Sequence, residues 1–168
     1  MNTPSEKNDA AAVELFNALL DKNLDDVADL PEYFDYVPAG FYKLKIIDVQ
    51  KKMVDVPDKE TKQKVATPVI QIVYELQETL ELAHPDKDVP VKAGGRFNES
   101  FFFGKDKEKP MEVLKAKFKE IATAWNIQNV LQLVDQLNGA EIGATIKSKQ
   151  AKDDDTKYYI QVSNAKLA

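Results

Sequence analysis

The feature that most constrains this fold is residues 66–103, where apolar side chains recur at every second position of a long segment. Ile70, Ile72, Tyr74 and Leu76 share one side of the extended chain, and polar residues share the other. A period of two is typical of a strand with one buried face. Turn-forming residues follow at 84–86 and 93–95, before a second strand that ends in three consecutive phenylalanines. The pattern predicts a long hairpin rich in aromatic residues, where we expect a binding surface.

Three more strands are predicted outside this hairpin. The first begins at Gly40, and the adjacent apolar residues Ile46 and Ile47 interrupt its alternation, which indicates a bulge or a strong bend. Residues 51–64 are interpreted as a charged loop in which lysines are mixed with acidic residues, either a solvated loop or an arm that binds phosphate. The last two strands, 142–149 and 158–163, form a hairpin that turns at three consecutive aspartates, 153–155.

A helical segment is predicted between the third and fourth strands. Pro110 is favoured at a first helical position. The apolar residues that then recur at helical spacing are Leu114, Phe118, Ile121, Ala122 and Trp125. This spacing predicts an amphipathic helix whose stripe, Trp125 included, belongs to the core. A second short helix, 128–137, ends at Asn138-Gly139, a typical stop.

The charge of the chain is unevenly distributed. Residues 1–39 carry two basic and nine acidic side chains, a charge of −7, whereas residues 40–168 carry 21 basic and 19 acidic ones, a charge of +2. We therefore divide the chain into an acidic leader, 1–39, and a folded domain, 40–168. Within the leader, residues 1–8 are predicted to be disordered, and Asp9 caps a short helix. Its apolar stripe consists of Val13, Phe16, Leu19 and Leu20. Three interpretations stay open: the helix packs on its own domain, docks on a partner, or is mobile.

Composition excludes several classes of site. The chain has no cysteine, so disulfides and thiolate zinc sites are excluded. Its single histidine, His84, precedes a proline in a turn, and residues 153–155 are best interpreted as a solvated turn. Phosphate-cradling glycine motifs do not occur. We therefore expect a protein that is not an enzyme, with no catalytic residue, metal or cofactor. The sequence also shows neither a membrane-spanning run nor a signal peptide, so we expect a cytoplasmic protein with no membrane partner.

The order of these elements is that of the OB-fold, a five-stranded antiparallel barrel whose strands and loops bind oligonucleotides. The fold expected is thus mainly β, with a helical insertion between strands 3 and 4 and an N-terminal helical leader. Several segments between residues 37 and 165 resemble phage-encoded single-stranded DNA-binding proteins. They are Val37-Pro38-Ala39-Gly40-Phe41-Tyr42-Lys43-Leu44, Gly95-Arg96-Phe97, the helix through Trp125, Leu137-Asn138-Gly139-Ala140-Glu141-Ile142-Gly143 and the closing tyrosine-rich strand.

This resemblance implies sequence-nonspecific binding of single-stranded DNA in phage replication or recombination, in the cytoplasm of a host cell. Such binding needs cations along the backbone and aromatic faces on which bases stack. The candidate residues are Lys43, Lys45, Lys62, Lys64, Arg96, Phe97, Phe101, Lys105, Lys147, Lys149 and Tyr159. For any single phenylalanine of the third strand the alternation favours the core, yet we expect at least one to be exposed.

Two features leave alternatives open. Many such phage proteins carry an acidic C-terminal tail, whereas this chain ends Ser163-Asn164-Ala165-Lys166-Leu167-Ala168. The acidic leader is then the expected contact for replication or recombination proteins. The alternative function is a structural or protein-interaction module built on an OB-like barrel, because a fold does not fix a function. An acidic mimic of DNA is favoured only by the overall charge of −5.

Overall fold

The computed structural model describes residues 4–27 and 30–168, and the chain divides into two compact units, Met1–Leu30 and Pro31–Ala168. The first unit contains helix α1, Pro4–Leu20, and a 3-10 turn, Leu24–Asp26. The prediction of disorder is therefore wrong for residues 4–8, where the helix begins at a proline that suits a first turn. Residues 1–3 lie outside the described residues. No helix in the described ranges is long and apolar enough to cross a membrane.

The apolar side chains of α1 are exposed. Val13, Leu15, Phe16, Leu19 and Leu20 are each between 54 and 67% exposed. The predicted stripe exists, and Leu15 widens it. An amphipathic helix with its apolar face in water gains little from burial, so tertiary packing adds little to the stability of α1.

The second unit is built on an open antiparallel sheet. Its strands are β1 Gly40–Pro57, β2 Lys64–Leu82, β3 Arg96–Phe102, β4 Glu141–Gln150 and β5 Tyr158–Leu167. They lie in the order β3-β2-β1-β4-β5, so β3 and β5 are the two edges. The central strand pairs with β2 along its whole length but with β4 only over residues 40–45. The mainly β fold with five antiparallel strands is thus confirmed.

Two sequence-based predictions concern the long β1–β2 hairpin: the first is confirmed and the second is wrong. The register slips between Ile46 and Asp48, where the sequence predicted a bulge. By contrast, residues 51–57 and 64–70 are paired strand, so the charged loop shrinks to the turn at 58–63. We call residues 51–68 the arm. Most of its side chains are exposed, so no apolar alternation marked it as strand.

Three helices connect β3 to β4: α2 Glu108–Lys117, α3 Lys119–Ala124 and α4 Val130–Leu137. The single long helix predicted here is thus broken at Phe118. Three residues of its stripe, Leu114, Phe118 and Ile121, are nonetheless confirmed as core because they are fully buried, and Ala122 and Trp125 pack against that core but are only partly buried. Helix α4 begins directly after Asn129, whose side chain accepts a hydrogen bond from the Gln132 amide, 2.9 Å away.

The predicted boundary at residue 39 lies too late in the chain. Residues 31–39, which we call the strap, belong to the second unit because they are bonded to the sheet. The Val37 amide donates to Ser148 Oγ (2.9 Å), and Ser148 Oγ donates to the Val37 carbonyl (2.7 Å). Tyr42 Oη donates to the Pro38 carbonyl at 2.7 Å, and burial raises the pKa of Tyr42 to about 12.

The strap also pairs with the start of β3. The Phe34 amide donates to the Arg96 carbonyl (2.8 Å), and the Arg96 amide donates to the Glu32 carbonyl (2.7 Å). The Phe34 ring lies against Gly95, where an added Cβ would come within 2.1 Å of a ring carbon. Glycine at 95 is therefore what lets the strap approach the sheet.

We expect Gly95→Ala to destabilise the protein by about 1–3 kcal/mol, because its methyl group displaces the Phe34 ring. Chemical denaturation measures the free energy of unfolding. Gly104→Ala is the matched control, since a Cβ there meets nothing within 4 Å, and its effect should stay within about 0.5 kcal/mol. In a Phe34→Ala background the Gly95 substitution should cost much less. An equal cost in both backgrounds would contradict the steric explanation.

Candidate nucleic-acid interface

The outer face of the sheet carries three of the predicted cations, but each has an acidic neighbour. Arg96, Glu75, Lys45 and Glu141 stand opposite one another on β3, β2, β1 and β4, so charges alternate across four strands. Arg96 Nη2 lies 3.5 Å from Glu75 Oε2. Lys43 faces Glu78 on β2 in the same way. This balance weakens the attraction of the central face for phosphate groups.

The other predicted lysines lie towards the ends of the hairpins, in two groups. Lys62 and Lys64 are exposed at the end of the arm, and Lys105 reaches the same end, where its Nζ is 3.4 Å from Asp58 Oδ2. Lys147 and Lys149 are exposed on β4, and Lys149 stands directly opposite Tyr159 on β5. The structure thus brings Tyr159 and Lys149 together and places the arm lysines in a separate cluster.

Phe97 and Phe101 are not available for base stacking, which corrects the sequence-based choice. They are only 1% and 6% exposed, because the pleat of β3 directs residues 97, 99 and 101 into the core. Phe97 stacks on Tyr74 with ring centroids 5.0 Å apart. The presence of Glu99 on this face suggested exposure, yet Glu99 is itself buried. Phe102, with the opposite parity, is the exposed phenylalanine of this strand.

An aromatic groove lies between the two edge strands and is walled by the strap. Its volume is about 710 Å³. Four of its rings, those of Tyr33, Phe102, Tyr158 and Tyr159, are between 41 and 60% exposed. Tyr159 was predicted from the sequence, whereas the other three were missed. The parity of β3 could have identified Phe102, but nothing local in the sequence brings Tyr33 to β5.

Polar side chains complete the groove. Asn98 and Ser100 line it from β3, and Gln161 lines it from β5. Amide and hydroxyl groups both donate and accept hydrogen bonds, so they can bond any base edge. Tyr158 is held by Tyr36 of the strap in an edge-to-face contact, with centroids 5.1 Å apart. The groove therefore presents partly fixed rings beside adaptable polar groups.

The floor of the groove holds a buried ion pair. Lys117 Nζ of α2 lies 2.7 Å from Glu99 Oε2, and it also donates to the Val162 carbonyl of β5. Glu99 accepts two further bonds, from Tyr74 Oη (3.1 Å) and from the Val162 amide (3.3 Å). One carboxylate therefore connects β3, α2 and β5 across the open side of the sheet.

The electrostatics of this cluster are set by burial. Loss of water raises the pKa of Glu99, and the Lys117 charge and the donated hydrogen bonds oppose that rise. Burial, together with the neighbouring Glu99, raises the pKa of Tyr74. The charged form of Glu99 is thus costly by itself, and its partners are what make it tolerable.

One acidic cluster forms the turn between β4 and β5. Asp154 accepts hydrogen bonds from the Thr156 hydroxyl (2.6 Å) and the Thr156 amide (3.0 Å), and both lower the pKa of Asp154. The predicted turn at 153–155 is confirmed. Over residues 9–27 and 30–168, no three acidic, histidine or cysteine side chains gather into a possible metal site. No protein-family model matches this sequence, and comparison with curated proteins gives no match either.

We expect Lys117→Met to destabilise the protein by about 3–5 kcal/mol at neutral pH, because the Glu99 carboxylate is left buried without its cation. The pKa of Glu99 then rises further, so its neutral form is favoured in the folded state. The stability that comes from burying neutral Glu99 is present below pH 4.5, the ordinary pKa of this carboxyl, and is lost as the pH rises through its higher pKa in the folded state. The destabilisation should therefore be smaller in acid. Chemical denaturation at two pH values measures this difference.

The double variant Glu99→Gln/Lys117→Met is the control. It should lack the pH dependence, and its cost should be less than the sum of the two single costs, since neither charge is left alone. A Lys117→Met variant that is destabilised equally at acid and neutral pH would show that Glu99 does not depend on this lysine.

Proposed function

We propose that the second unit is a partly open barrel of the OB-fold type that binds single-stranded DNA without strong sequence preference. The strand order and the helices between β3 and β4 support this fold, which is described as a partly open Greek-key barrel. The bond from the Val162 amide to Glu99 supports it further, because that bond spans the gap between β3 and β5.

The aromatic groove is the observation that carries the function. Proteins that bind single strands nonspecifically stack bases on aromatic side chains, an interaction that tolerates every base. Four half-exposed rings gather here from three separate segments, next to side chains that can bond base edges. Aromatic rings exposed at this density favour a ligand with flat apolar faces and polar edges, which describes an unpaired nucleobase.

Phosphate binding comes from exposed lysines near the groove rather than from a general positive field. Residues 31–168 carry 21 basic and 21 acidic side chains, so the second unit is neutral overall. Lys147 and Lys149 are exposed on β4, and Lys149 stands beside Tyr159 of the groove. A backbone that follows this side of the hairpin would keep its bases over the rings. We assign the activity to phage replication or recombination, with proteins of those processes contacting the acidic leader.

Tyr159→Ala and Phe102→Ala should each weaken binding to an oligo-dT by about 1–3 kcal/mol, the usual value of one base–aromatic stack. Fluorescence anisotropy at low salt measures the dissociation constant. Both side chains are about half exposed or more, so the free energy of unfolding should change little. Leu80→Ala, an exposed apolar residue of β2 outside the groove, is the control and should bind normally. Normal binding by both aromatic variants would exclude the groove as the stacking site.

Exposed lysines and charge-balanced lysines should contribute differently to the salt dependence of DNA binding. The double variant Lys147→Ala/Lys149→Ala should reduce the slope of log K against log salt by about 0.7 for each phosphate that these lysines neutralise in the wild-type complex. Lys45→Ala should leave the slope nearly unchanged, because Lys45 faces Glu75 and Glu141. Equal slopes for the wild type and both variants would count against this phosphate path. Absence of any oligo-dT binding at low salt would favour the protein-interaction module instead.

A further inference from the structure

Helix α1 presents a wide apolar face, and the segment that contains the helix and the turn after it is acidic. Its five exposed apolar side chains include Phe16, the largest of them. Residues 9–27 carry five acidic side chains and one lysine, so the region is strongly anionic. Such a helix fits an apolar groove with a basic rim, in the manner of helix-in-groove recognition.

The arm offers a surface of this kind. A shallow depression of about 430 Å³ is lined by Pro68, Val69, Ile70 and Phe103. Met53 forms one wall and is 62% exposed. Its cationic lining residues are Lys51 and Lys52, of which Lys51 also makes an exposed pair with Asp135 (3.2 Å). Methionine adapts readily to different partners and is common at docking surfaces.

We propose that α1 of one copy of this chain docks in the arm depression of a second copy, with Phe16 against Met53 and the acidic residues of the leader against Lys51 and Lys52. The match is both chemical and electrostatic: each surface is apolar at its centre, and the charges around the two centres have opposite signs. The proposal concerns the protein alone and does not depend on DNA binding.

A symmetric pairing of two α1 helices is less favourable on the same physical grounds. It would bury the apolar faces but bring two anionic segments together, and like charges at close range oppose association. The interface between a helix and an arm is instead heterologous, because each copy contributes a different surface. Such an interface closes after two copies only when both helices are exchanged reciprocally, and otherwise it extends into rings or filaments.

The test uses the full-length chain without nucleic acid. Sedimentation velocity over a range of protein concentrations should show reversible association, into dimers if the helices exchange reciprocally and into larger assemblies otherwise. Phe16→Asp disables the helix face, and Met53→Asp disables the arm. Each variant should weaken association by at least about tenfold, because each places a charge in an apolar interface. Val89→Asp, which adds a charge at an exposed apolar loop residue, is the control and should associate normally.

Mixing the two disabled variants separates the possible arrangements. A one-to-one mixture retains one intact helix and one intact arm, so it should form a dimer that neither variant forms alone and should stop at two copies. Association that survives Met53→Asp but not Phe16→Asp would indicate helix pairing and overturn the proposal. A wild-type protein that stays monomeric at every concentration would also overturn it, as would a mixture that fails to dimerise. Thermal unfolding of each variant verifies that the exposed substitutions leave the fold intact.

Discussion

The open sheet depends on the Glu99 carboxylate for the connection between its two edges. Backbone hydrogen bonds hold neighbouring strands together, but β3 and β5 lie at opposite edges of the sheet and are not paired with each other. Glu99 bonds the Val162 amide, and Lys117 bonds both Glu99 and the Val162 carbonyl. A charged group in this place is costly to bury, and all its partners are needed to offset that cost. Polar side chains therefore add a specific hydrogen-bonded connection to the apolar core that packs Phe97 and Phe101 of β3 with Ile160 and Val162 of β5.

The same cluster determines where a ligand site can form. Because side chains, rather than a strand pair, join the two edges, space remains above them, and the strap and the aromatic residues surround that space. Tyr33 and Tyr158 enter the groove from the strap and from β5, two segments that the contact between Tyr36 and Tyr158 holds together. The stability of the domain and the shape of the candidate site thus share one structural cause.

The sequence predicts what depends on periodicity and misses what depends on distant contacts. The buried faces of β1 and β2 follow from a period of two, and that of α2 follows from the helical period. The bulge in β1 follows from two adjacent isoleucines. The parity of β3 stayed open because Glu99 looks like a surface residue, and its partner Val162 lies 63 positions away. The arm has the sequence pattern of a loop because most of its side chains are exposed. Likewise, no periodicity links the strap to β3.

The uneven pairing of β1 has a consequence for the order of folding. Its contacts with β2 close through a turn of a few residues, whereas its contacts with β4 over residues 40–45 join positions about a hundred residues apart. Loop-closure entropy favours the local hairpin first, so β1 and β2 form a template on which β4 and β5 assemble late. Amide hydrogen exchange should follow the same division, with the slowest amides at residues 40–45, where β1 has a partner on both sides.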